Sequence, residues 1–349
     1  MTKQLRVGFI GTGIFAKDTH LPAFQKKPNQ YKPIAAFNRT KAKAEDFASA
    51  AGISSENVHD SLDEIISNPN VDFLDILLPV EYNLEVLTKA VEHKKPVIIE
   101  KPIAANIEQA KEIVKLDEST TVPIIIAEQW LYLNAITEIN KRLPKIGEIV
   151  SFTYRATQPF ERHGKYVNTS WRQKPKHIGG YLSDGGVHQL AVLTGVLGEV
   201  ESVSALTKQL RPESGTVDTL FSTLKTKNGA IGTFIYGEKF GAVEKHGSFN
   251  IFGLNGSISL DFSDGKPKTL KLIVGPTGEE IQEEETIEVI ESDPQGIDDE
   301  FEGAYQAIVQ NDKSLIKSKP RVAFHHLAVI DAALKSAEKN GDHFKVEHP

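Results

Sequence analysis

The chain is expected to fold as two domains of different class. Residues 1–127 predict an α/β domain built on a parallel sheet, and residues 128–349 an α+β domain with a large, mostly antiparallel open sheet. Three observations predict this. Strongly apolar strand-like runs alternate with helical patterns as far as Ala127, as in βαβ units whose strands are covered on both faces. The first such run, Val7-Gly8-Phe9-Ile10, enters Gly11-x-Gly13-x-x-Ala16 and then a helical pattern. Beyond Leu133 come consecutive strand-like stretches, with Asn228-Gly229, Asn255-Gly256 and Asp264-Gly265 as hairpin-type dipeptides.

In chain order, Val7–Ile10 predicts the first strand, and the helical stretch after it carries Pro22, which kinks or restarts it. Tyr31–Phe37 predicts the second strand. Lys41–Ala51 has apolar or small residues at helical spacing and is stopped by Gly52. Asp60-Ser61-Leu62-Asp63 opens a short helix, Val71–Leu78 is a buried strand ending at Pro79, and Asn83–His93 is helical. Val97–Ile99, a helix over Ile107–Leu116 and the strand Val122–Ala127 complete the alternation. In the second half, strands are expected at Ile149–Ala156, Glu201–Leu210, Thr216–Leu224, Ala230–Gly237, Ser248–Gly253, Gly256–Phe262, Thr269–Val274 and Thr286–Ile290. Helices are expected over Val187–Leu197, Asp298–Gln310 and Val322–Asn340, and the acidic run Glu279–Glu302 reads as a solvated edge and loop.

Composition bounds the function. With 349 residues, 40% hydrophobic and 25% charged, this is an ordinary globular chain of about two domains. A net charge of −7, from 40 basic and 47 acidic residues, argues against a nucleic-acid surface. There is no cysteine, which excludes disulfides, thiolate nucleophiles and thiolate metal sites and suits a reducing cytosol. Met1–Arg6 contains no apolar signal core, and runs such as Ile124-Ile125-Ile126-Ala127 are far too short to span a membrane. A cytoplasmic protein with no membrane partner is the expectation.

The glycine turn is the first candidate site. A strand leading through Gly11 and Gly13 into a helix is what a dinucleotide pyrophosphate needs. The first glycine makes the turn, the second lets backbone approach phosphate, and Ala16 lets helix pack close to strand. An NAD site places a carboxylate at the end of the second strand, but here that strand ends Ala36-Phe37-Asn38-Arg39-Thr40-Lys41. A carboxylate would repel a 2′-phosphate, whereas Arg39 offers one a planar, doubly donating partner. Asn38 and Thr40 add neutral hydrogen bonds, and Lys41 or Lys43 adds positive charge. NADP(H) is therefore expected; the competing reading is a solvated basic turn before a helix.

Two further constellations carry chemistry. Glu100-Lys101-Pro102 stands at a strand end, where ligands of such sheets bind. Lys101 there can donate to a substrate oxygen; alternatively it is a strand-terminal surface lysine. Then come Trp171-Arg172 and Gly179-Gly180-Tyr181-Leu182-Ser183-Asp184-Gly185-Gly186-Val187-His188. Asp184 and His188 are four apart and share a face if the helix begins at Asp184, so the carboxylate can orient the imidazole as a proton carrier. Asp184 as a helix cap and His188 as a packed core histidine is the plainer alternative. A metal site of these two has no further ligand cluster at suitable spacing, and no metal is expected. His325-His326 read as structural.

Taken together, these motifs resemble the glucose-fructose oxidoreductase / inositol dehydrogenase family, nearest to a fungal branch of NADP(H)-dependent oxidoreductases. The resemblance spans nearly the whole chain. It implies an N-terminal Rossmann domain joined to an open, mostly antiparallel sheet domain, a sugar, polyol or related carbonyl substrate bound between the domains, and a sheet that in the family often forms the homo-oligomer interface. By position it implies Lys101 as the catalytic lysine, Asp184 as its acidic partner and His188 as the acid/base histidine. Cofactor contacts are expected at Gly11, Thr12, Gly13, Ile14 and Phe15, at Asn38, Arg39, Thr40 and Lys43, and at Leu78, Pro79, Asn83, Glu100, Lys101, Trp171 and Arg172. Three positions depart from the family pattern: Asn83 where relatives carry histidine, Tyr181 in place of a third glycine, and Gln189-Leu190 after His188. An NADP(H)-dependent oxidoreductase is the expected activity, with a non-catalytic NADP(H)-sensing regulator of the same fold as the alternative.

Overall fold

The computed structural model describes residues 3–161, 174–263, 268–293 and 295–349. The apolar runs of the first unit form six parallel strands: β1 (Leu5–Ile10), β2 (Tyr31–Phe37), β3 (Val58–His59), β4 (Phe73–Ile76), β5 (Val97–Glu100) and β6 (Ile124–Ala127). Their spatial order is β3-β2-β1-β4-β5-β6. The order reverses between β1 and β4, and ligands of such sheets bind beyond the carboxyl ends at that point. The two-residue β3 was not foreseen. Strand β4 has every residue buried, as its unbroken apolar pattern requires of a two-sided sheet, with the exception in kind of Asp75, which is wholly buried too.

Helical structure starts at Ile14, directly after the glycine turn, and runs to Gln25. Its middle, Ala16–His20, is a π turn, with the Leu21 N–H donating to Ala16 O. Pro22 is the cause we assign: it has no N–H to give and its ring crowds the carbonyl four residues back, so the preceding turn widens. The expected kink is thus a local widening.

Contacts divide the chain into one unit of residues up to Gln129 with Ile297–Phe324, and another of Trp130–Gly296 with His325–His348. A single cut after residue 127 therefore does not describe the packing. The helix Ile297–Gln310 returns to the first unit because its apolar face completes that core. Phe301 stacks on Phe24 with centroids 4.4 Å apart, and the Tyr31 hydroxyl donates to Phe301 O at 2.6 Å.

Among the described residues, the second unit is built on a nine-stranded sheet. Its strands are β7 (Ile149–Pro159), β8 (Val200–Lys208), β9 (Thr219–Thr226), β10 (Ile231–Phe240), β11 (His246–Gly253), β12 (Gly256–Asp261), β13 (Thr269–Val274), β14 (Glu283–Glu288) and β15 (Phe344–Lys345). The order is β14-β13-β12-β11-β7-β10-β9-β8-β15. Among the described residues only β7 and β10 pair in parallel; every other pairing is antiparallel. Alternation is clear in β9, where Leu220, Ser222 and Leu224 are buried while Phe221, Thr223 and Lys225 face out. The acidic run becomes edge strand β14, whose glutamates pair with Arg142, Lys145 and Lys271, and then the first turn of the helix Ile297–Gln310. The helix Tyr181–Leu197 belongs to this unit. The helix Asn134–Arg142 lies outside every expected element; it is short and amphipathic, with Ala135, Ile136 and Ile139 inward.

Candidate functional site

The glycine turn has the geometry a pyrophosphate cradle needs. Gly11 has φ +91°, and a Cβ there would sit 2.3 Å from Leu77 O, so turn and close packing both demand glycine. Gly13 differs: a Cβ there would meet nothing within 4 Å, so its missing side chain leaves open space beside the helix start. The first N–H groups of a helix lack intrahelical acceptors and favour an anion there. Thr12 is buried, and its Oγ1 has no hydrogen-bond partner among the described residues. Ile14 is 45% exposed at the same mouth. An orphaned hydroxyl, an empty glycine face and an uncovered isoleucine fit a bound dinucleotide.

The end of β2 continues this edge. The Asn38 carbonyl accepts from the Thr12 N–H at 3.3 Å, and its amide donates to Thr40 O at 3.1 Å, which ties the glycine turn to the loop before the next helix. Arg39, Thr40 and Lys43 are exposed. Lys41 is held by Asp60 at 2.7 Å, whereas among the described residues no carboxylate lies within ion-pair distance of Arg39. The Lys41 ammonium is stabilised by that bond and its pKa is raised.

Lys101 is half-buried after β5, and the Lys101–Pro102 peptide is cis. Asn83, only 1% exposed, opens the helix Asn83–Glu92 and turns its amide onto this loop, donating to Pro102 O at 3.2 Å and Ile103 O at 3.1 Å. The amide therefore organises the backbone around Lys101, while its Oδ1 has no partner among the described residues. Leu78 is half-buried against the Gly11 turn, and Pro79 is exposed.

A buried network behind Lys101 was missed by sequence reasoning. His20 Nδ1 lies 3.0 Å from both oxygens of Asp75, and its Nε2 lies 3.1 Å from Glu100 Oε1. Burial pulls the imidazole pKa down, but the charges and hydrogen bonds of Asp75 and Glu100 outweigh it and raise it to about 10. Burial raises Asp75 as well, against the pull of His20. Glu300, 1% exposed, is pushed well above the carboxylate range by burial and by Glu100 and Glu128 nearby. A signal was present: Asp75 is a lone charge inside an apolar strand, and such a charge requires a partner. His20 sits four residues after Ala16, on the inward side.

In the second unit, the helix Tyr181–Leu197 starts three residues earlier than the spacing argument assumed, with Gly180 at its N-cap and φ +47°. Asp184 is therefore inside the first turn and does not cap the helix. It is 8% exposed, and His188 one turn on is half-buried, with its ring stacked on Trp130 at 5.3 Å and 27°. Trp130 had drawn no attention in the sequence. Beside this face lies a cavity of about 350 Å³ in the second unit, lined by Trp130, Tyr154, Gln189, Tyr236, Glu238 and Lys245 among others. A Cβ on Gly185 would lie 2.0 Å from the Tyr236 hydroxyl, so the glycine lets sheet and helix meet. Burial pushes the Glu238 carboxyl up; the Tyr236 hydroxyl and Lys239 and Lys245 oppose this, and Asp184 adds to it. Trp171 and Arg172 lie outside the described residues. Among those residues no group of three or more His, Asp or Glu could hold a metal ion.

His325 and His326 are buried and held neutral. His325 Nε2 accepts from the Val200 N–H at 2.9 Å, and His326 Nε2 lies 2.8 Å from Thr194 Oγ1. Burial, with each ring's neighbouring imidazole, lowers both pKa values to about 3.

A doubly wound parallel sheet with a glycine turn at its reversal point, in a chain that also carries a wide mixed sheet, is the architecture of a two-domain dinucleotide-binding oxidoreductase. Residues 5–127 match the model of the oxidoreductase family's NAD-binding Rossmann fold, and residues 142–347 that of its C-terminal alpha/beta domain. The chain belongs to this GFO_IDH_MocA family. It is 51% identical over 346 residues to an uncharacterized protein of Saccharomyces cerevisiae, covering 99% of each chain. Among solved structures it resembles an oxidoreductase of Thermotoga maritima at 32% identity, with a TM-score of 0.84 and 99% of each chain covered. It also shares the fold of a levoglucosan dehydrogenase solved with NADH and L-sorbose, at 20% identity, a TM-score of 0.86 and 100% coverage of both. Among the described residues no helix is long and apolar enough to cross a membrane.

Proposed function

We propose that the protein is an NADP(H)-dependent oxidoreductase that moves hydride to or from a sugar, polyol or related alcohol or carbonyl. The observation that carries it is the open face at Gly13 beside the orphaned Thr12 hydroxyl, next to a β2 end that presents Arg39 and no carboxylate. When bound, the nicotinamide supplies the hydride acceptor or donor. Gly11, Thr12, Gly13, Ile14 and Phe15 hold the pyrophosphate end, Arg39 with Asn38, Thr40 and Lys43 the 2′-phosphate, and Leu78, Pro79, Asn83 and Glu100 the far side. Trp171 and Arg172 are assigned to the nicotinamide or substrate side.

In oxidation, the alcohol carbon gives up hydride and its hydroxyl gives up a proton. His188 takes that proton, its ring steadied by Trp130 and by Asp184 one turn earlier. Lys101 donates to the oxygen as its charge changes. Reduction returns the proton from His188. The second unit's cavity, with aromatic walls and the polar heads of Gln189 and Glu238, has the character of a polyhydroxyl site. The likeness to a levoglucosan dehydrogenase supports the substrate class.

The test is cofactor titration and turnover on a sugar and polyol panel. Arg39→Ala is expected to weaken NADPH binding tenfold or more while changing NADH binding less than threefold; equal losses refute the NADP assignment. Full turnover by Lys101→Ala or His188→Ala sinks that residue's role. A protein that binds NADPH, turns over nothing on the panel and recruits another protein only when loaded is a sensor instead.

The absence of cysteine makes the cytosol the proposed compartment. The sheet's outward face is the proposed self-association surface, because Leu206, Phe221 and Ile235 are cross-strand neighbours there. Phe221→Lys is expected to shift the mass measured by light scattering to the monomer, and an unchanged mass removes the proposal.

A further inference from the structure

The imidazole of His20 joins three elements that local sequence keeps apart: the helix after the glycine turn, the middle of β4 through Asp75, and the last residue of β5, Glu100. Both ring nitrogens face carboxylates, at 3.0 Å and 3.1 Å. A neutral imidazole has one N–H and would aim a lone pair at one of them; only the imidazolium donates to both. The ring has no room to turn away, since the edges of Phe15 and Phe301 pack against it with centroids 5.2 Å off. The acids that act on it are Asp75, Glu100 and Glu300, the last two from the end of β5 and from the helix Ile297–Gln310, and Glu128 in turn acts on Glu300.

We infer that His20 is a positioning residue: anchored by Asp75, it clamps the Glu100 side chain and so fixes the backbone from which Lys101 projects. Asn83 holds the same loop by its carbonyls, those of Pro102 and Ile103 and, at 3.5 Å, that of Glu100, so one tie acts on the Glu100 side chain and the other on the backbone of Glu100–Ile103. The His20–Asp75 pair touches neither substrate nor cofactor in this role. The inference rests on Lys101 being the donor assigned above.

The two ring nitrogens can be separated by substitution. In His20→Gln the amide nitrogen falls near Nε2 and can still donate to Glu100, while the bond to Asp75 is lost. In His20→Asn it falls near Nδ1, keeps Asp75 and loses Glu100. Both remove the charge and the ring. The clamp predicts hydrogen exchange at residues 100–103 of the apoprotein at least tenfold faster in His20→Asn, and within threefold of wild type in His20→Gln. It also predicts kcat reduced tenfold or more in His20→Asn with KM within threefold, measured with NADP and the best substrate of a monosaccharide and polyol panel, and kcat largely retained in His20→Gln. Glu100→Ala should match His20→Asn in exchange, which keeps the test intact if His20→Asn fails to fold. Equal behaviour of the Gln and Asn variants, or faster loop exchange with unchanged kcat, overturns the inference. Lys101→Ala separates the two readings: with normal loop exchange and no turnover it supports the donor assignment, and with retained turnover it ends that assignment while the exchange result still judges the clamp.

Discussion

Two glycines in the same turn, with one residue between them, should fail in opposite ways. At Gly13 the backbone lies outside the left-handed region, and an added methyl meets no protein atom within 4 Å. Gly13→Ala should leave the apoprotein as stable as wild type, or more so by about 0.5 kcal/mol, through lower unfolded-state entropy. The methyl instead occupies the approach to the pyrophosphate. Losing about 3 kcal/mol of that interaction weakens NADPH binding on the order of 100-fold. Gly11→Ala has the other signature. With φ +91° and Leu77 O 2.3 Å from the new Cβ, it costs at least ~2 kcal/mol from conformation before the clash is counted. That corresponds to a fall in Tm of roughly 4 °C or more. Thermal unfolding of both apoproteins, with NADPH fluorescence titration of Gly13→Ala, decides the matter. A Gly13→Ala protein that binds NADPH within threefold of wild type refutes the cradle.

Two further outcomes follow from buried groups. His325 and His326 titrate near 3 when folded and near 6.5 when unfolded, so the unfolded chain binds more protons below that pH, and stability falls as pH drops from there towards 3. Each contributes a loss of about 2 kcal/mol between roughly pH 6.5 and 4.5. Urea unfolding should show a shallower acid slope in a His325→Gln/His326→Gln variant, and identical slopes would contradict the assignment. Gly185→Ala places a methyl 2.0 Å from the buried Tyr236 hydroxyl, so overpacking of about 1–3 kcal/mol should exceed the ~1 kcal/mol gained in helix propensity. A raised Tm in that variant would show that Tyr236 yields freely.

Local chemistry explains what was legible beforehand. A run such as Ile124-Ile125-Ile126-Ala127 cannot face water on either side, so it announces a covered parallel strand wherever it ends up. Gly11 reveals a turn because, at φ +91° and with Leu77 O in the place of a Cβ, no other residue makes it without strain. The helix Ile297–Gln310 was legible as a helix, but its destination was not. Its apolar face fits any core, and the partners that select one, Phe24 and Tyr31 among them, lie 270 residues or more away. The same holds for His20, Asp75 and Glu100: each sits in an element correctly expected, while the network exists only through pairings 55 and 80 residues apart in sequence. The start of the helix Tyr181–Leu197 escaped because Gly179 and Gly180 look like loop, and here both adopt positive φ to launch it. Trp130 is three residues past the apolar strand and carries no motif.

Among the described residues, the nine-stranded sheet has two rims without a further paired strand, each able to recruit one from a neighbour and so to polymerise. One rim is β14, Glu-Glu-Glu-Thr-Ile-Glu, whose charges would confront their own copies across any rim-to-rim junction. The opposite rim ends in β15, only two residues long, too short to template an incoming strand. Growth in the plane of the sheet is thus blocked at both ends. Acid that protonates the glutamates, or salt that screens them, would relax the first barrier and leave the second in place, so edge pairing from the folded state should stop at a closed β14-to-β14 dimer and not run on into a filament.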